Sequence, residues 1–316
     1  MRTSDPQASE MLLLVSPVMR DLVEWLKAFA ESDLPVVFVG APGTGKSLLA
    51  RLVHELSGRT GSFIDCSCGE LVPELARADL FGHVKGGFTG AVADRAGLFA
   101  LADGGSLLLD EVHLLDLALQ HQVVGAFGTR RFRPVGSSRV VERGCRLLFG
   151  MGEDPDAMLA AGRMLPDLRS RMGPIVVRVP PLAERREEIE PLARVFLERY
   201  ADLRANGGPR RLTRSAVGML EAVEWPGNVR DLEFAVWAAY EVARYTRADA
   251  VDVGHLQGLV TAVPRFDPGS PAEKKTEVVA WALTQRSGRV GEAAALLGVD
   301  RNTVRKWGRL RRQNEG

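Results

Sequence analysis

Two short stretches carry residue types suited to holding a phosphate chain. Gly40-Ala41-Pro42-Gly43-Thr44-Gly45-Lys46-Ser47 follows an apolar β-branched run and opens a helical one. Glycines at this spacing let backbone N–H groups curl round phosphate oxygens with no Cβ in the way, and the helix start adds partial positive charge. Lys46 is expected to reach the β- and γ-phosphates and the Ser47 hydroxyl to ligate Mg2+, so Gly40, Gly43, Thr44, Gly45, Lys46, Ser47 and Leu48 form the expected nucleotide-binding set. The second stretch, Leu107-Leu108-Leu109-Asp110-Glu111, ends a buried strand in two carboxylates. Asp110 would orient Mg2+ through water, and Glu111 would polarise an attacking water as general base. The expected cofactors are ATP and Mg2+, and the expected reaction is hydrolysis of ATP to ADP and phosphate.

Both stretches need a parallel sheet to place them, and the hydrophobic pattern supplies one. Short apolar runs at Leu34–Val39, Phe63–Cys66, Ser106–Leu109, Cys145–Phe149 and Ile175–Val177 read as strands. Helical spacing lies between them, at Val18–Ser32 and Lys46–Leu56 among others. That alternation predicts an α/β core with helices on both faces of a parallel sheet, over residues 16–180. After Pro180-Pro181 the pattern becomes helical only: Glu184–Tyr200, Thr213–Val223, Asn228–Tyr245 and Val251–Val260, a separate helical subdomain over 181–262. Residues 263–271, rich in Pro and Gly, read as a linker, and 272–316 as a small helical unit. Residues 1–15 read as a short leader with no room for a sensory domain.

Between the two phosphate-handling stretches lies Asp79-Leu80-Phe81-Gly82-His83-Val84-Lys85-Gly86-Gly87-Phe88-Thr89-Gly90-Ala91. It resembles the E-L-F-G-H-x-K-G-A-F-T-G-A segment of sigma-54-dependent transcriptional activators, the bacterial enhancer-binding proteins of the AAA+ class, with Gly87 in place of an alanine. The likeness extends over residues 16–260. Phe132-Arg133-Pro134-Val135-Gly136 is similar to the family's F-x-x-V-G hairpin, Val179–Ile189 to the entry of its lid, and Trp225-Pro226-Gly227-Asn228-Val229-Arg230-Asp231-Leu232 to W-P-G-N-V-R-E-L. The resemblance implies an AAA+ P-loop core with Walker A and Walker B motifs, an α-helical lid, and ring assembly, as a hexamer by family likeness. It implies that Gly86, Phe88, Thr89 and Gly90 belong to a loop that contacts sigma-54, with Phe88 and Thr89 exposed at its tip. It also implies that Arg230 senses nucleotide from the lid, a task suited to a planar guanidinium that binds phosphate oxygens bidentately.

Three places depart from the family pattern. In Met164-Leu165-Pro166-Asp167-Leu168-Arg169-Ser170-Arg171-Met172, Arg171 matches the second of two arginines that reach a neighbouring subunit's site, and Leu165 replaces the first, with Arg163 and Arg169 close by. The family's A-A-T-N is Phe149-Gly150-Met151-Gly152 here, without its polar sensor pair. Ser67 stands where an asparagine links the Walker B glutamate to the phosphate; serine keeps a hydrogen-bonding group with a shorter reach. Asp110, Glu111, Arg171 and Ser67 are the expected catalytic set, and turnover is expected to be slow or partner-dependent.

At the C-terminus, Glu273–Leu283 reads as a helix, Val290–Val299 as helix and turn, Asp300 as an N-cap, and Arg301–Arg312 as a helix without an acidic residue, weakened at Gly308. This resembles a Fis-type helix-turn-helix, an all-α unit that implies paired binding to two-fold sites on double-stranded DNA. Asn302, Thr303 and Lys306 are candidates for base edges, and Arg301, Arg305, Arg309, Arg311 and Arg312 for phosphates.

The formal net charge of +1 provides no whole-chain basic field, so DNA contact must come from this local patch. Three cysteines, Cys66, Cys68 and Cys145, make no disulfide framework; with no signal peptide or membrane-spanning run, a cytoplasmic protein is expected. The leading expectation is a sigma-54-dependent activator acting on RNA polymerase, regulated by a separate protein or by its own expression level. Two rivals stand beside it: an ATP-holding DNA-binding regulator that does not hydrolyse, and an AAA+ remodeller of another client.

Overall fold

The computed structural model describes residues 16–129, 131–142, 144–204, 208–258 and 301–314, together with Lys275, Val279, Ala282, Leu283, Val290, Ala293, Ala294 and Val299. The expected leader, the linker and Asp300 lie outside the described residues, as does most of the stretch between the linker and Asp300. The chain divides into two compact units after Pro180.

In the first unit, strands β1 (Val36–Val39), β2 (Phe63–Ser67), β3 (Ser106–Asp110), β4 (Arg146–Met151) and β5 (Val176–Arg178) form one sheet. Their order is β2-β3-β4-β1-β5 and every pair is parallel. Successive side chains point to opposite faces, and both faces are covered. Val36, Phe38, Leu108 and Leu148 pack with α1 (Pro17–Lys27) and α2 (Lys46–Leu56). Val37, Leu107, Leu109, Phe149 and Met151 pack on the other face with α3 (Pro73–Phe81), α4 (Leu117–Thr129), α5 (Pro155–Ala160) and α6 (Pro166–Arg171). Strand β4 runs two residues beyond its expected end because β1 pairs with it as far as Val39 opposite Met151.

Helix α1 starts where Ser16 caps Met19 N–H at 3.4 Å and Pro17 presets the first turn. It ends earlier than its apolar spacing suggests, at Lys27. Beyond it, buried Arg146 of β4 donates to Phe29 O at 2.9 Å, to Leu34 O at 3.1 Å and to Ala30 O. A guanidinium's rigid fork thus gathers three carbonyls of the segment that follows the helix.

The second unit contains α7 (Ile189–Asp202), α8 (Arg214–Ala222), α9 (Asn228–Tyr245), α10 (Val253–Leu256) and α11 (Arg301–Asn314). Helix α7 begins later than expected because two single 3-10 turns, Leu182–Glu184 and Arg186–Glu188, come first. Asn228 opens α9 with a left-handed φ of 56°, and its Oδ1 accepts Leu182 N–H at 2.8 Å. Among the described residues no helix is long and apolar enough to cross a membrane.

Candidate functional site

The phosphate-handling residues meet at the C-terminal ends of β1, β3 and β4. The loop from Gly40 to Ser47 takes left-handed φ at Gly43 (75°) and Gly45 (101°), which only glycine adopts at little cost. Gly40 admits no side chain, since a Cβ there would lie 2.8 Å from Val179 O. Buried Thr44 fastens the loop through Oγ1 to Ala41 O at 2.8 Å. Gly45 is the N-cap of α2 and offers no side chain to the helix's first N–H groups, those of Lys46, Ser47 and half-buried Leu48. Such donors are an anion site. Lys46 Nζ donates to Gly40 O at 2.9 Å and to Ala41 O at 3.2 Å.

From across the sheet, Asp110 joins the loop: Ser47 Oγ donates to its Oδ2 at 2.9 Å, while Oδ1 accepts Glu111 N–H at 2.9 Å. Gly150 makes room for this carboxylate, because a Cβ on Gly150 would lie 2.0 Å from Asp110 Oδ1. The glycine that breaks the family's A-A-T-N pattern therefore has a steric reason. Glu111 has a left-handed backbone (φ 59°), an uncommon, costly state for a non-glycine residue that concentrates at functional sites. Its Oε2 accepts Ser67 Oγ–H at 2.7 Å. A hydroxyl and a carboxylate 2.9 Å apart offer the hard oxygen donors that Mg2+ prefers.

The glycine-rich segment after α3 forms a loop on the same unit. Gly86 (φ 77°) and Gly90 (φ 98°) flank it in open space. Gly86 N–H donates to Ala91 O at 2.8 Å, and Ala91 N–H to Phe88 O at 3.0 Å. Thr89 is exposed at the tip. Phe88 differs from its expected exposed position: it is half-buried, edge-on to His83 with ring centroids 5.0 Å apart. The base of the loop is tied to the segment around Val135, where Val84 N–H donates to Val135 O at 3.1 Å and Val135 N–H to Gly82 O at 2.8 Å.

Residues 12–178 match the sigma-54 interaction domain, and residues 183–264 the AAA+ ATPase lid domain. The chain belongs to the sigma-54 interaction family. It is 35% identical over 310 residues to the transcriptional regulatory protein ZraR of Klebsiella oxytoca, covering 96% of this chain and 69% of ZraR. It is 41% identical over 247 residues to the response regulator PilR of Pseudomonas aeruginosa, covering 76% of this chain and 55% of PilR. Among solved structures, NtrX from Brucella abortus in complex with ADP superimposes with a TM-score of 0.70 at 26% identity, over 93% of this chain and 68% of NtrX. The fold is that of an AAA+ ATPase with a helical lid.

Within this sigma-54 interaction domain the three neighbouring arginines differ in their charge partners. Arg163 pairs with Glu153, one N–H···O distance being 3.0 Å, and Arg169 grips Asp156 at 2.6 and 3.1 Å and Gly173 O at 3.0 Å. Each pair holds its carboxylate below the usual range, chiefly through the hydrogen bond from arginine. Half-buried Arg171 keeps a buried Nε with no hydrogen-bond partner among the described residues. Leu165 donates its N–H to Gln120 Oε1 at 2.9 Å and brings no charge. Cys66 and Cys68 are buried; burial pushes the Cys66 thiol up to about 11 and the Cys68 thiol further in the same direction. Among the described residues no cluster suited to a metal ion includes them.

In the second unit Arg230 is exposed on the first turn of α9. Helix α11 runs through Gly308 to Asn314, with Arg301, Asn302, Arg305 and Lys306 exposed, Thr303 half-buried and Val304 buried. Lys275 and Lys306 both lie 5.2 Å from the centre of the Trp307 ring, a cation–π arrangement. Val299 N–H donates to Ala294 O at 3.0 Å. The side chains of Arg309, Arg311 and Arg312 lie outside the described residues. Sequence reasoning missed His113, whose Nδ1 accepts Gly152 N–H at 3.2 Å, and the contact of Gly87 with Val135.

Proposed function

We propose that this chain is a sigma-54-dependent transcription activator: ATP binding and hydrolysis between subunits of a ring move the Gly86–Ala91 loop against sigma-54 RNA polymerase and open promoters. One observation carries the reading. Loop, lysine, hydroxyl and two carboxylates converge at one end of a sheet, and Glu111 is bonded to Ser67 on the edge strand β2. Lys46 and the N–H groups of Gly43 to Leu48 would hold the triphosphate, and Ser47 and Asp110 the Mg2+. When bound, the metal neutralises charge that develops on the phosphates. Glu111 would take a proton from the attacking water; Arg171 of a neighbouring copy and Arg230 of the lid would contact phosphate. Helix α11 would enter the DNA major groove, placing this ring, a hexamer by analogy, at an upstream site in the cytoplasm. In this reading a separate regulatory protein would control the ring.

The pairing of Arg163 and Arg169 with carboxylates, and the apolar Leu165 and Met151, favour a second reading in which ATP serves assembly alone. Turnover by the purified protein separates the two. Capture of sigma-54 in the presence of ADP–aluminium fluoride, with and without Thr89→Ala, tests the partner. The activator reading expects measurable turnover and capture that the substitution abolishes. Tight ATP binding with no turnover under any condition removes the enzyme, and capture indifferent to Thr89 points to another client.

A further inference from the structure

The end of β4 brings no polar side chain to the nucleotide site, since Met151 is fully buried and apolar and Gly152 has none. His113 occupies that place. A Cβ on Gly152 would lie 3.2 Å from the imidazole Cε1 and 3.3 Å from Nε2, and the ring's Nδ1 accepts Gly152 N–H at 3.2 Å. A ring nitrogen that accepts a hydrogen bond carries no proton, so the neutral imidazole holds its proton on Nε2 and presents a donor there. No bond to Nε2 exists among the described residues. Nearby Glu153 is engaged by Arg163.

The backbone connects this ring to the phosphate loop on one side and to the carboxylates on the other. Met151, next to Gly152, accepts Gly40 N–H through its carbonyl at 3.0 Å, and Gly40 is the first glycine of the loop. On the other side His113 lies in the 3-10 turn Val112–Leu114, directly after Glu111. The ring held between these two anchors sits beside Gly152, one residue beyond the carbonyl that binds the phosphate loop.

We propose that His113 distinguishes a triphosphate from a diphosphate in this chain, donating its Nε2 proton to the terminal phosphate and so replacing the missing polar side chain of β4. This deepens the nucleotide-binding reading above and rests on it. The two positions share one space: a side chain at 152 would press on the imidazole of His113.

The test measures ATPγS and ADP affinities of the full chain by calorimetry for wild type, His113→Ala, His113→Gln and the paired exchange His113→Gly with Gly152→Asn. Loss of one hydrogen bond to a charged oxygen weakens ATPγS about tenfold or more in His113→Ala, while ADP stays within about twofold. His113→Gln, which keeps an N–H donor, retains most of the preference, and the paired exchange restores part of it. Gly152→Asn alone meets the ring and lowers the Tm; the paired exchange does not. Equal weakening of both nucleotides in His113→Ala, or an unchanged ratio, overturns the proposal while leaving nucleotide binding intact. Wild-type protein that binds neither nucleotide overturns both readings.

Discussion

An alanine at Gly87 would complete the family's G-A-F-T-G-A pattern, yet in this chain it should loosen the loop it completes. A Cβ there would lie 2.6 Å from Val135 O, 3.0 Å from Val84 O and 3.1 Å from Val135 C, all of them backbone atoms. To restore ordinary contact, Val135 O must retreat by about 0.8 Å. That carbonyl accepts Val84 N–H at 3.1 Å, so the retreat breaks the bond that ties the loop's base to the neighbouring segment. Losing it costs about 1 kcal/mol, and forcing a methyl into packed backbone costs about 1–3 kcal/mol more. A total of about 2–4 kcal/mol corresponds to a fall of roughly 4–16 °C in Tm for a unit of this size, at about 2–4 °C per kcal/mol. The direct assay is amide hydrogen exchange read by mass spectrometry, in which peptides covering 82–92 and 131–137 should lose protection together while those of β1 and β3 hold. Gly86→Ala is the control: its Cβ meets nothing within 4 Å, and its cost of about 1–2 kcal/mol comes from the left-handed φ alone. Gly87→Ala with wild-type Tm and unchanged exchange at 131–137 would refute the steric coupling.

Other substitutions probe the rest of the scaffold. Ser67→Ala frees a carboxylate now held at 2.7 Å; ATPγS affinity should stay constant while basal turnover rises, up to about tenfold, and a fall would show that the bond positions Glu111 for catalysis. Arg146→Leu removes the guanidinium donor from the carbonyls of Ala30 and Leu34 and one of three donors from that of Phe29, so urea unfolding should show a loss of about 2–3 kcal/mol. His54, bonded to Ser106 Oγ at 3.0 Å, is held below its ordinary value of 6.5 by burial and then by Arg51 and Arg59. The unfolded chain binds that proton more readily, so stability falls as pH drops through 6.5 and levels off below the folded value. His54→Asn should flatten that limb of a Tm-against-pH curve.

What was legible in the sequence is what local spacing dictates. The run Gly40–Ser47, the strand ending in Asp110-Glu111 and the bounds of α2 and α9 follow from residue type and period, because backbone conformation and burial pattern are set within a few residues. The parallel direction of the strands follows from the strand–helix alternation that forces crossovers, whereas their order in the sheet came from the structure. Where the structure went beyond this, two distant segments had come within 4 Å of each other. Gly150 read only as part of the departure from A-A-T-N, yet it is the clearance for Asp110. Gly87 read as a neutral departure, yet it is where the loop meets Val135, 48 residues on. Arg146 lies inside the apolar run Cys145–Phe149, yet it holds the carbonyls beyond α1. None of these leaves a periodic mark, since each is a single residue matched to a partner on another element. They share one physical signature: a glycine beside a backbone or carboxylate, or an arginine inside a strand, contradicts its own local context. In a chain that otherwise follows its propensities, such contradictions are where tertiary contact has chosen the residue. Glu111 fits the same rule, because a glutamate with φ 59° persists only if the bonds to Asp110 and Ser67 repay the strain, and those bonds belong to the site.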